Sequence, residues 1–486
     1  MPLGTMVVAL ITADRIGFLG AMGFAKTEDP EGVTFLRDWS FQGFLRPDSG
    51  LLDLAAVVFG ICLLGLLARG HGILSIDGLF RLIWGGDEGE KLEKKPEKPN
   101  QTQQAGTSVE EKDRRFLWGG NPKAPRPIVT NRYIHPLKIR DLVLANNLTL
   151  APMAGFTNVA FRLIAKEVGG CGLVATEMVA ALGNPGAQNA DRFRILTQNV
   201  PQEKPLAMQV YGREPDLCAA TAAALDAAGA DLIDLNCGCP VKKAKQSGCG
   251  VALMKEPQQV GAVVKAMRAA VPHKPVTVKM RLGFDARNRN MLEVAQEAIE
   301  NGADALFVHA RTGESKHGVP VDLSGIREVK ELALKLTGDR VPVLANGSME
   351  TAAACRAAKD EAMADGYQIG RAACGDPWLF RNLITELTES GTPYRPTYPE
   401  RRALLLKHFE LILELFGEER GVRVMRKYTF FYCNGLPGVR KFRDRFMRIS
   451  SRTEFLGLVD DFFLHLEGGH LDQEPIEHLK LYSDEE

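Results

Sequence analysis

The stretch that decides the fold is PLAMQVYGREPDLCAATAAALDAAGADLIDLNCGCP, residues 205–240. It opens on a short apolar run, PLAMQV (205–210), and closes on another, DLIDLN (231–236). Between them, EPDLCAATAAALDAAGA (214–230) is Ala-rich and carries its apolar residues at helical spacing. The two runs lack the apolar/polar alternation of a half-buried strand. Unbroken runs of this kind suit parallel strands buried on both faces.

Outward from this unit the same rhythm repeats. The other runs are LTLAP (148–152), CGLVATE (171–177), PVTVKM (275–280), DALFVH (304–309), VPVLA (341–345) and DGYQIG (365–370). Helical patterns such as MLEVAQEAIENGA (291–303) fall between them. Eight strand–helix units predict an α/β chain with a closed (β/α)8 barrel, a TIM barrel, of about 250 residues. An open doubly wound sheet fits less well: it has no preference for eight units, and the first turn lacks a Gly-x-Gly-x-x-Gly loop. After about Tyr394 only helical patterning remains, as in RRALLLKHFELILELFG (401–417). The expected organisation is a barrel over 126–392 and a small all-helical domain over 393–486.

The N-terminal 125 residues are of another kind. Residues 87–125 are a charged linker containing EKLEKKPEKPNQTQQ, with almost nothing to bury. The extension before it, 1–86, carries fifteen uncharged residues between Asp53 and Arg69, LAAVVFGICLLGLLA. A spanning helix usually needs about 20. Residues 51–69 are therefore read either as a membrane anchor or as a buried or interfacial helix. If they span, the basic residues that follow would leave the catalytic part on the cytoplasmic side. Met1–Gly20 lacks the basic start and clean apolar run of a signal peptide.

Composition excludes little. The 486 residues hold 60 basic and 60 acidic side chains, 45 % hydrophobic and 25 % charged residues. These values are ordinary for a folded soluble protein. Zero net charge gives no general attraction to nucleic acid, so any such argument must be local. It is found between Gly421 and Arg452: nine basic residues against one acid, Asp444, with Tyr428, Phe430, Phe431, Tyr432, Phe442 and Phe446 interleaved. That density suggests a phosphate-backbone surface. The nine cysteines are odd in number and dispersed, unlike a secreted disulfide framework.

In such a barrel the active site lies at the C-terminal ends of the strands. Chemically capable residues gather there. Asn346-Gly347-Ser348 and Gly370-Arg371 end the last two strands, where these barrels commonly hold a phosphate. Gln209, Lys279 and His309 end strands three, five and six, and could surround a flat hydrogen-bonding ring, with Lys279 stabilising negative charge. Asn236-Cys237-Gly238-Cys239-Pro240 follows strand four. A thiol of ordinary pKa, about 8.5, is protonated at neutral pH. Cys239 can therefore act as a general acid. Cys237, Cys239 and Cys249 lack the paired Cys-x2-Cys knuckles of a zinc site, so no metal is expected. Lys242, Lys243 and Lys245 form a basic loop that could grip a substrate phosphate or could be merely solvated.

The motifs APMAGFTNVAFR (151–162), TEMV (176–179), MQVYG (208–212), DLNCGCPVKK (234–243), GVALM (250–254), VKMRLGF (278–284), VHART (308–312), LANGSM (344–349), IGRAACGDPWLF (369–380) and VRVMRKYTFFY (422–432) share an order and spacing. In these the chain resembles the tRNA-dihydrouridine synthase family, bacterial B-type branch, from about Leu148 to Phe462. The resemblance implies FMN at the barrel mouth, with NADPH or NADH as electron donor and tRNA as substrate. Pro152, Met153 and Ala154 would line the flavin. Gln209 and Lys279 would bond its ring, and His309 would lie beside it. Asn346, Gly347, Ser348, Gly370 and Arg371 would hold its phosphate. Asn236 would contact the uracil, Cys239 would donate the proton to C5, and hydride would pass to C6. Lys242 and Lys243, with Arg426 and Lys427 of the helices, would contact the RNA. The catalytic unit would be monomeric.

The chain departs from the family pattern in several places. Ser348 stands where Asp is usual, Tyr428 where His is usual, and Phe431 where Trp is usual. The loop GESKHGVPVD (313–322) lacks the usual Arg and the aromatic-x-Gly spacing. Two rival readings are a flavin oxidoreductase acting on a free pyrimidine and a non-catalytic RNA-binding protein. A small base needs no basic surface, which weighs against the first. The presence of both Cys239 and Lys279 weighs against the second.

Overall fold

The computed structural model describes residues 130–181, 187–315, 318–388 and 391–468. The N-terminal extension, the charged linker and the apolar stretch at 51–69 lie outside them, as does the Lys243 side chain. Among the described residues no helix is long and apolar enough to cross a membrane.

All eight apolar runs are strands. They are β3 (Leu148–Leu150), β4 (Val174–Ala180), β5 (Leu206–Tyr211), β6 (Leu232–Cys237), β7 (Val276–Arg281), β8 (Ala305–His309), β9 (Val343–Asn346) and β10 (Gly366–Ile369). They pair in parallel in the order β3-β10-β9-β8-β7-β6-β5-β4. The cylinder closes between β3 and β4. There Thr149 pairs with Leu173, and the Leu150 N–H donates to the Leu173 carbonyl at 2.8 Å. Helices between the strands cover the outside, where Ile233, Leu235, Val276 and Val278 join one large apolar cluster.

A short antiparallel hairpin, β1 (Leu137–Ile139) and β2 (Leu142–Leu144), precedes the barrel. Its Leu137, Ile139 and Leu144 pack with Leu173, Ala175, Ala207, Leu232, Ala305, Phe307 and Leu344. Small residues on three strands leave room for the hairpin's leucines and isoleucine, so the hairpin plugs the cylinder at its N-terminal end.

Residues two apart on a strand share a face. Each inward face therefore runs from an apolar base to a polar top: Leu232, Asp234, Asn236 on β6, Ala305, Phe307, His309 on β8, and Leu344, Asn346 on β9. Parallel register places the tops side by side, pairing Gln209 with Asp234, Asn236 with Lys279 and His309 with Asn346.

Four longer helices follow the barrel at Tyr398–Phe416, Glu418–Cys433, Val439–Phe446 and Arg452–Glu467. Capping boxes, Thr397 with Glu400 and Ser451 with Glu454, start the first and the last. Most of the aromatics of the basic segment form their core rather than a surface. Tyr428, Phe431, Tyr432, Phe442 and Phe446 are buried, and Phe442 stacks on Phe462 at 4.2 Å between ring centroids.

Candidate active site

A cavity of about 720 Å³ opens at the C-terminal end of the barrel. Thirteen of the residues singled out by sequence line it: Pro152, Met153, Ala154, Gln209, Asn236, Cys239, Lys279, His309, Asn346, Gly347, Ser348, Gly370 and Arg371. Cys237 is buried, while Cys239 is partly exposed to the cavity. Among the described residues no group of three or more His, Cys, Asp or Glu is arranged to hold a metal.

The wall is a connected polar network. Asp234, buried in β6, accepts from Gln209 Nε2 at 2.7 Å and from Thr277 Oγ1 at 2.6 Å. Gln209 Oε1 accepts from Asn236 Nδ2 at 2.8 Å. Asn236 Oδ1 accepts the N–H groups of Gly238 at 3.1 Å and Cys239 at 3.0 Å. The Gln209 and Asn236 amides line the cavity and also bond each other, and through Asn236 they pin the Cys239 loop. Lys279 Nζ donates to Asn346 Oδ1 at 2.7 Å, and Asn346 Nδ2 donates to the Gln368 carbonyl at 2.7 Å.

Two arginines, Arg281 and Arg311, complete the rim. Arg281 donates through Nε to the Gly238 carbonyl and through Nη1 to the Thr312 carbonyl, both at 2.8 Å. Arg311 donates to the Val319 carbonyl at 2.6 Å and to Ser348 Oγ at 2.9 Å. Arg281 lies two residues beyond Lys279, and Arg311 two beyond His309. That same-face spacing was the available signal.

Burial sets the electrostatics. It pushes the Asp234 carboxyl up to about 6 against the opposing hydrogen bonds from Thr277 and Gln209 and the charge of Lys279. It pushes the Lys279 ammonium down to about 7, helped by Arg281 and opposed by Asp234. It raises the Cys239 thiol against the Val241 N–H and the Arg281 charge, both of which favour thiolate. Burial therefore favours the neutral thiol at Cys239 and weakens the hold of Lys279 on its proton.

The loop after β9 needs its glycine. Gly347 has φ +98°, and a Cβ there would lie 3.1 Å from the His309 ring. Ser348, where the resembled family carries Asp, also has positive φ, 54°.

The helical region reaches the cavity through Phe431 and Asn434, long-range contributions that no local spacing announces. Arg426 and Lys427, expected at an RNA surface, are half-buried and bonded to backbone carbonyls. Arg426 donates to the Ile449 carbonyl. Lys427 donates to the Gly155 carbonyl, with its ammonium 4.6 Å from the Phe156 ring centroid. Lys242 is exposed. Tyr428 completes the joint to the loop after β3: its hydroxyl accepts from Asn158 Nδ2 at 3.0 Å and donates to the Phe156 carbonyl. Tyr428→Phe leaves both groups buried without that partner. It should cost about 1–3 kcal/mol in urea unfolding, and an unchanged midpoint would contradict this account of the joint.

Comparison with known proteins follows this geometry. The family described as dihydrouridine synthase (Dus) matches residues 149–467. The tRNA-dihydrouridine synthase B of Pseudomonas syringae pv. tomato is 35 % identical over 327 residues, 67 % of this chain and 94 % of that one. The protein of the same name from Pseudomonas aeruginosa is 34 % identical over 328 residues, 67 % of this chain and 96 % of that one. A probable tRNA-dihydrouridine synthase of Rickettsia conorii is 35 % identical over 309 residues, 63 % of this chain and 90 % of that one.

Proposed function

The chain belongs to the dihydrouridine synthase family, and from that premise we propose that it reduces uridine to 5,6-dihydrouridine in tRNA, with FMN as cofactor and Cys239 as proton donor. The observation that carries this reading is the convergence of Cys239, Lys279, His309, Asn346 and Arg371 on one cavity.

The residues present fit a flavin mononucleotide. The volume lies within the range of small-molecule sites, about 300–1,000 Å³. Gly347 is a cradle that a Cβ would fill. Gln368, which lines the cavity, has its Oε1 buried without a hydrogen-bond partner. Lys279 would hold the electron-rich edge of the ring, beside His309. Gly347, Ser348, Gly370 and Arg371 would hold the phosphate, with Arg311 behind Ser348. A flavin held there, reduced by NADPH or NADH, supplies hydride to C6 of the uracil.

The chain's own part is positioning and proton transfer. The Asp234–Gln209–Asn236 network fixes the backbone at Gly238 and Cys239, which sets where the sulfur lies. Burial keeps that sulfur protonated, so it can give its proton to C5. The RNA-facing role falls to exposed cations. Arg440, Lys441, Arg445 and Arg448 are exposed, and they extend a basic surface that a free pyrimidine would not need. Arg426 and Lys427, half-buried, would add to it from its edge.

The colour and the pH profile test this. Purified protein should be yellow, and colourless protein that binds no added FMN would refute the cofactor. Because the acid form of Cys239 is the active one and its pKa is raised, the proton-transfer step should keep its rate through neutral pH when it is read by single-turnover oxidation of the reduced, flavin-bound protein, in which the ring's negative charge would keep Lys279 protonated. That rate should fall only above the ordinary thiol value of about 8.5. A loss of rate beginning below pH 7 on the alkaline side would contradict the assignment.

A further inference from the structure

Val241 and Val319 project into water beside the cavity, 51 % and 44 % exposed. A single exposed valine is ordinary. These two are held in place. Val241 directly follows Cys239-Pro240, and its N–H faces the Cys239 sulfur. The Val319 carbonyl is bonded by Arg311. Arg281 ties the two loops together through the Gly238 and Thr312 carbonyls. Gly250 has φ +61°, and a Cβ there would lie 2.7 Å from the Cys239 carbonyl, so the following turn also presses on the Cys239 loop. Val241 is therefore carried on a braced loop directly after the lining residues Cys239 and Pro240, and Val319 on a loop held by the lining residue Arg311.

On the reading that the substrate is a uridine turned out of RNA, extrusion costs a few kcal/mol and leaves a gap in the stack. Apolar side chains inserted at base steps are one way proteins hold such a distortion. We propose that Val241 is a wedge that occupies the step vacated by the uridine. Two residues of chain span at most about 7 Å, so a base at the Cys239 sulfur and a stack at Val241 are within reach of one nucleotide. The exposed Lys242 stands next to it for the neighbouring phosphate. Val319, farther from the thiol in sequence, serves as the facing lip. Val241 is thus a positioning residue and takes no part in bond making.

The test compares Val241→Ser and Val241→Leu on folded, unmodified tRNA and on an unstructured uridine-containing oligonucleotide. The serine variant should lose about tenfold in rate on tRNA, roughly the effect of one modest contact. Its pH profile and bound flavin should be unchanged, the leucine variant should keep the rate, and neither should differ from the parent on the oligonucleotide. Full activity of Val241→Ser on tRNA overturns the wedge. Equal loss on both RNAs, or a shifted pH profile, also overturns it, because the residue would then act through the thiol. Absence of dihydrouridine with the parent protein on tRNA defeats the underlying functional reading instead.

Discussion

Cys239→Ala should lower uridine reduction by roughly 10²–10⁴-fold, the usual contribution of a positioned general acid, while flavin binding stays intact. Apart from the Val241 N–H, which faces the sulfur, the loop's backbone is held without it. The Cys239 N–H is held by Asn236 Oδ1 at 3.0 Å, the Cys239 carbonyl accepts the Val251 N–H at 3.0 Å, and Arg281 holds Gly238. Alanine satisfies all three contacts, so the loss would be of chemistry rather than of shape. Single-turnover oxidation of the reduced flavin by tRNA, with retained flavin absorbance, separates the two. Undiminished turnover would refute the acid, and loss of flavin would show that the thiol is structural.

Arg162→Met should be the most damaging single change to stability. Arg162 closes the first long motif, APMAGFTNVAFR, and is buried with Glu203, at 1 % and 0 % side-chain exposure. Its Nε and Nη2 reach Glu203 at 2.5 and 3.2 Å, and its remaining donors go to the Thr157 and Gln198 carbonyls at 2.6 and 2.8 Å. Removing the cation leaves a buried carboxylate with only the Val200 N–H as a named remaining donor, and breaking such a pair costs about 3–5 kcal/mol. That is a large share of a typical total of about 5–15 kcal/mol. Replacing both partners by apolar residues of similar volume should recover much of the loss. Urea unfolding of the two variants checks this, and a double variant no better than Arg162→Met would contradict it. A motif residue can therefore hold the scaffold rather than the substrate.

The barrel was legible because a strand buried on both faces must be continuously apolar, and eight such runs leave few alternatives. The line-up of the rim was legible for the same reason, since the first polar residues after each run must lie at one end. Four features were not legible. The plugging hairpin is two three-residue strands, too short for any periodicity. Asp234 sits inside an apolar run, and only its place on the face shared with Asn236 shows that it braces the wall. Gln209 and Asn236 offer groups that could serve a ligand or each other, and only the register of β5, β6 and β7 shows that they bond each other while both still line the cavity. Phe431 and Asn434 reach the cavity from helices almost two hundred positions beyond Cys239, by tertiary packing that spacing cannot encode. In the basic segment charge and aromaticity separate: most of the rings build the core and the cations cover it, with Arg426 and Lys427 half-buried at its edge.

The central claim concerns the product, so the direct measurement is mass spectrometry of tRNA from cells with and without this protein, and from cells carrying Cys239→Ala. The account predicts that at least one uridine gains the mass of two hydrogens only when the unaltered protein is present. Identical tRNA in all three strains would contradict it.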